Sequence, residues 1–171
     1  MKKLQPLILV IIIASSLFYF YRNDQEFTGN QNAPTDLTFK IIDGRQLSLE
    51  QYRGKPVLID FWATSCAYCI QEMPDLVALY EELSTEGLEI IGVAMSYDRP
   101  DMVLKAAKDL KIPFPIALDI DGEVADAFGD VNVTPTHFLI APDGKIVNRI
   151  DGTMNLAGIR NKIKTMLSKE I

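Results

Sequence analysis

The residues best equipped for chemistry are Cys66 and Cys69, the only two cysteines of the 171-residue chain, set two positions apart in the stretch FWATSCAYCIQEMP, residues 61–74. Such a pair can be a structural staple, part of a metal site, or a dithiol that opens and closes. A staple across so short a loop removes little entropy from the unfolded chain, and a chain of this length with 48% hydrophobic residues can bury a core without one. A zinc site draws four ligands from Cys, His and carboxylate groups, and here two cysteines would be joined only by His137, far along the chain. The redox dithiol is the best supported of the three readings. The plain alternative is two buried thiols that are neighbours without function.

Three further residues could take part. Asp60 interrupts the apolar run VLIDFW, where an unpaired buried carboxylate costs several kcal/mol, so a raised pKa and proton exchange with Cys69 are expected. The plain reading is that Asp60 caps a local polar group. Glu72 falls in the first turns of a helix, where an acid is commonly solvated or favoured by the helix dipole. Trp62, at the end of the same apolar run as Asp60, is expected to pack beside the sulfurs and shape a docking surface. His137 follows Thr136 on a strand, and the alternation of strand side chains predicts that it faces away from the site. A copper-chaperone role would give that histidine a use, but copper proteins of that kind space their cysteines by three.

The frame for these residues is legible as alternating strand and helix patterns. LTFKIIDGRQLSL reads as a hairpin turning near Asp43-Gly44. PVLIDFW is a buried strand, and CIQEMPDLVALYEELSTEG a helix with Ile70, Met73, Val77, Tyr80 and Leu83 on its apolar face, Pro74 as a kink and Gly87 as its stop. A strand LEIIGVAMS, a helix PDMVLKAAKDLKI, a strand FPIALD and a short helix GEVADAFG follow. The chain closes with THFLIA, the turn PDG, KIVNRI and the helix NLAGIRNKIKTML. This order predicts an α/β fold with a central mixed sheet flanked by helices. It also puts Cys66 where a strand passes into a helix. There, unpaired N–H groups and the positive helix end favour a thiolate and bring the thiol below its usual ~8.5. Cys69, one turn further on, is near enough to pair and should be the more buried.

The amino terminus reads as a separate segment. Lys2 and Lys3 precede an uncharged run, LQPLILVIIIASSLFYFY, residues 4–21, at the short end of the ~17–25 residues that span a bilayer. The apolar residues after Ala14-Ser15-Ser16 suit an uncleaved anchor better than a cleaved signal, so residues 1–22 are taken as an anchor or signal segment. The flanking charges place the body on the extracytoplasmic, periplasmic side of the cytoplasmic membrane, where disulfides persist. Residues 23–35 read as a flexible tether and 36–171 as the domain. Beyond residue 22 there are 14 Lys and Arg against 23 Asp and Glu, a net charge of −9, which argues against a nucleic-acid partner.

Asp60-Phe61-Trp62-Ala63 before Cys66-Ala67-Tyr68-Cys69, a proline five residues after Cys69, and Val133-Thr134-Pro135-Thr136 before a strand resemble the TlpA/ResA group of thioredoxin-fold proteins. The resemblance spans about residues 36–168, including the leading β-hairpin and an extra βα insertion near residues 100–118. It implies a membrane-anchored extracytoplasmic thiol–disulfide oxidoreductase with no cofactor, in which Cys66 attacks and Cys69 resolves. It also implies an acid near the dithiol at Glu72, a cis Thr134-Pro135 bond that receives the substrate, protein disulfides such as apocytochrome c as clients, and a membrane electron donor of the DsbD/CcdA type. A disulfide oxidase or isomerase and a metal-binding chaperone are the alternatives. A peroxiredoxin is set aside, because Thr64 is misplaced and no proline precedes Cys66 nearby. The family pattern is departed from in two places: Ser65 stands where a second Trp is usual, and the intervening pair Ala67-Tyr68 lacks a proline. Asp60, by contrast, matches the buried carboxylate of thioredoxin, where some members of the group have a neutral residue.

Overall fold

The computed structural model of the protein describes residues 31–168. The expected membrane segment, and the tether as far as residue 30, lie outside these residues. Six strands form one sheet in the order β1-β8-β7-β4-β5-β6. Their spans are β1 Gln31–Asn32, β4 Val57–Trp62, β5 Glu89–Ala94, β6 Ile116–Leu118, β7 Thr136–Ile140 and β8 Lys145–Asp151. β4, β5 and β6 run parallel, while β7, β8 and β1 are antiparallel to their neighbours. A separate hairpin, β2 Thr38–Lys40 with β3 Gln46–Ser48, turns at Gly44, whose φ of 88° suits glycine. It docks beside β6 through the Ile41–Ala117 bridge.

The expected mixed sheet is present. Four helices cover it: α1 Ala67–Leu83, α2 Pro100–Asp109, α3 Glu123–Ala127 and α4 Leu156–Leu167. β1 pairs Gln31 with Ile146, and Ala33 is buried, so the folded domain takes in residues 31–35 that composition assigns to the tether.

Every residue of β4 is buried, because both of its faces are covered. Ile59 and Phe61 point to one layer, where Phe61 meets Phe128 and Phe138 edge to face with centroids 5.5 and 5.8 Å apart, and Phe128 lies tilted against Phe138 at 4.9 Å. Leu58 and Trp62 point to the other, beneath α1 and α4, with Met73, Leu76, Leu79, Leu83, Ile159 and Ile163. Each of these fully buried side chains contributes about 1.5–3 kcal/mol. The α1 face is turned slightly from the expected one: Cys69, Met73, Leu76, Leu79 and Leu83 are buried, with Ile70, Val77 and Tyr80 along its margin. Gly87, at φ 120°, follows a short 3-10 turn and ends the helical segment. Asp119, buried after β6, accepts the Val124 and Ala125 N–H groups at 2.9 Å each, and so caps α3, which begins after Gly122.

Candidate active site

Cys66 is the N-cap residue of α1. Its extended backbone (φ −88°, ψ 104°) leaves the first helical N–H groups unpaired, and its Sγ accepts the Cys69 N–H at 3.1 Å. The same donor and the positive end of a 17-residue helix would stabilise a thiolate at that sulfur. Cys66 is half-buried, whereas Cys69 is 3% exposed in the layer under α1. The two are joined as a disulfide, with Cα atoms 5.3 Å apart. The loop that delivers Cys66 is pinned from β5's side of the sheet. Asp98 takes both the N–H and the hydroxyl of Thr64 at 2.6 Å, and the Cys66 N–H reaches the Ala63 carbonyl at 3.0 Å. Nothing in the local sequence marks Asp98 as this anchor, because its partner is 34 residues away.

Behind Cys69 lies a cluster that the sequence did not reveal. β4 and β7 pair with Asp60 opposite His137, and both side chains enter the layer covered by α1. His137 is fully buried, its Nδ1 3.1 Å from Asp60 Oδ1 and its Nε2 3.2 Å from Glu72 Oε2. The ring N–H directions do not line up with these oxygens, so the contacts are ion pairs first and hydrogen bonds second. Burial pushes the imidazole down, but the two carboxylates outweigh it and lift His137 to about 9. Glu72 is raised by burial, yet ends below the ordinary glutamate value, because His137 and the Met154 N–H at 2.9 Å hold its carboxylate charged.

Two expectations are corrected here. His137 does not face away from the site: alternation sets it opposite to Thr136, and the antiparallel register with β4 makes that the Asp60 face. Asp60 is not an isolated buried acid, because a cation stands beside it. The three groups do not converge on a metal position, since each ring nitrogen points to a different carboxylate. Among the described residues no His, Cys, Asp and Glu group could hold an ion.

Trp62 is also corrected. It is fully buried against the layer that contains Cys69 and Met73, so it supports the site from within and offers no docking surface. Its indole N–H meets no acceptor among the described residues. The large apolar side chains exposed around the site are instead Tyr68 in the first turn of α1, Tyr97 after β5 and Val133 before β7. Tyr97 Oη lies 3.5 Å from Thr134 Oγ1, which ties the loop after β5 to the one before β7. The Thr134-Pro135 bond is cis, as expected. Pro135 is buried and its carbonyl already accepts the Gly152 N–H at 2.8 Å, so the backbone groups left for a client belong to half-buried Thr134.

The family model described as AhpC/TSA matches residues 30–149. A thiol–disulfide oxidoreductase ResA from Geobacillus thermodenitrificans is 32% identical over 97% of this chain and 99% of its own. ResA of Bacillus subtilis is 31% identical over 86% of this chain and 83% of its own. Among solved structures, a thiol:disulfide interchange protein of the thioredoxin family from Chlorobium tepidum superposes with a TM-score of 0.73 at 26% identity, covering 81% of this chain and 97% of that one.

Proposed function

Since the chain belongs to the AhpC/TSA family, as a thiol–disulfide oxidoreductase similar to ResA, we propose that it reduces disulfides of client proteins outside the cytoplasm. The observation that carries this reading is the pairing of an accessible sulfur at a helix N-terminus with a buried one in the layer of the Asp60–His137–Glu72 cluster. In the reduced protein the Cys66 thiolate attacks a client disulfide, and Cys69 then resolves the mixed disulfide, leaving a reduced client and the Cys66–Cys69 disulfide. An extended client segment lies along Thr134 and contacts Tyr68, Tyr97 and Val133.

Residues 4–21 anchor the protein to the membrane, with the domain on the extracytoplasmic side. Among the described residues no helix is long and apolar enough to cross a membrane. A membrane donor of the DsbD/CcdA type returns the disulfide to the dithiol, and tethering keeps the two close. Apocytochrome c, whose C-x-x-C-H motif forms a comparable disulfide, is the first client to test. A Cys69→Ser variant should accumulate mixed disulfides through Cys66 with such clients, separable on non-reducing gels and absent from the double Cys→Ser variant. No trapped species from actively growing cells would contradict the reading.

A further inference from the structure

We infer that His137 is a positioning residue for proton transfer from the dithiol: it keeps Asp60 and Glu72 ionised together behind Cys69, so that Asp60 stands ready to take the Cys69 proton. The two carboxylates reach one buried imidazole from different elements, β4 and α1, at 3.1 and 3.2 Å. With no cation between them, buried Asp60 and half-buried Glu72 would repel each other across the space the ring now fills, which favours a proton on one of them. With an imidazolium between them the cluster carries a single net negative charge and can accept one proton.

Among the described residues, the other elements packed near His137 turn apolar side chains to it. Its partner on β8 is apolar Ile150. Arg149 and Asp151 project from the opposite face, Arg149 over Phe138 and Asp151 to Thr136. The buried residues of α4, Ile159 and Ile163, are apolar.

The contacts divide the roles. Both oxygens of Glu72 are engaged, Oε1 by the Met154 N–H and Oε2 by His137. Asp60 gives Oδ1 to His137, which leaves its Oδ2 outside that ion pair. Glu72 therefore fixes the imidazole, and the imidazole fixes Asp60 on the β4 face that α1 covers, in the layer that holds Cys69.

The step balances with a substrate R–S–S–R′. The Cys66 thiolate bonds to one sulfur and expels R′S⁻, Cys69 gives its proton to Asp60, and the Cys69 thiolate attacks Cys66 Sγ and expels RS⁻. Two electrons pass from the dithiol to the substrate, and Asp60 returns the proton to the departing thiolate.

This inference rests on Cys66 and Cys69 being a working dithiol, and the test separates the two ideas. The reduced full chain is mixed with excess dithiobis-nitrobenzoate, which releases one coloured thiolate when Cys66 attacks and a second when Cys69 resolves. In His137→Gln the first release should match the wild type. The second should slow about tenfold near pH 6 to 7 and recover towards pH 9, as the protonated acid ionises, tenfold corresponding to one pH unit. A second release that is unaffected, or slowed equally at every pH, overturns the relay. Loss of the first release in the wild type overturns the dithiol reading itself. Should His137→Gln not fold, the wild type still decides: His137 is the only histidine in the chain. Its ring proton followed by NMR should titrate well above 8 and move down in Glu72→Gln, whereas an ordinary value unmoved by that change overturns the inference.

Discussion

One turn of helix separates the roles of Cys66 and Cys69. The sulfur at the N-cap is open to reagents and receives an N–H, while the sulfur three residues on is enclosed by Trp62 and Met73. In the reduced protein, Cys66 should therefore alkylate at least tenfold faster than Cys69 at neutral pH, measured by mass spectrometry of timed iodoacetamide reactions. Equal, slow labelling of both would indicate a structural pair.

The buried cluster has its own signature in stability. His137 is lifted from 6.5 to about 9 by folding, so the stabilisation it contributes is fully present below about pH 6.5 and is lost as pH rises through about 9. Glu72 is lowered from 4.5, so its contribution is present above 4.5 and lost as pH falls through its depressed value. The oxidised protein should be most stable between these limits. The loss on the alkaline side should be on the order of 2–3 kcal/mol, read as a falling urea midpoint. A midpoint unchanged from pH 6.5 to 9 would show that the imidazole is not charged in the folded state.

At this scale the two cysteines and the acid in the apolar run, Asp60, were legible from residue type and spacing, and Glu72, Thr134 and Pro135 from the family resemblance. His137 and Asp98 were not, because their partners are set by strand register and by loops distant in sequence.

Among the elements, β4 and its neighbours do most of the positioning. The β4–α1 junction sets Cys66, the β4–β7 register sets Asp60 against His137, and the close approach of β5 holds Trp62 in its slot. That approach needs glycine at position 92. A Cβ there would stand 2.6 Å from Ile116 Cδ1 and 3.2 Å from Trp62 Nε1, and the indole wall cannot move as a flexible chain end can. Gly92→Ala should destabilise the protein by about 1–3 kcal/mol through overpacking, measured by urea denaturation, while the order of cysteine labelling survives. An unchanged midpoint would show that the slot has room.

The alternation of strands and helices was readable because hydrophobic period and glycine and proline stops agree along most of the chain. β1 escaped because a two-residue edge strand carries no periodic signal and owes its pairing to β8. The true face of α1 differs from the expected one because Cys69, Leu76 and Leu79 follow the sheet surface beneath them.

As a whole molecule, the protein combines one α/β domain, a single dithiol at the end of its central parallel strand, and a net charge of −6. That charge disfavours nucleic acid as a partner. The dithiol itself could run in either direction. The proposed reductase direction depends on a continuous supply of electrons from the membrane, so it is a property of the protein in its cell. The most direct test traps thiols in acid during growth and counts alkylated cysteines by gel shift, with and without the membrane thiol donor. The account predicts that Cys66 and Cys69 are mainly reduced in normal cells and become oxidised when the donor is deleted. A pair that is mainly oxidised, and stays so whether or not the donor is present, would contradict it.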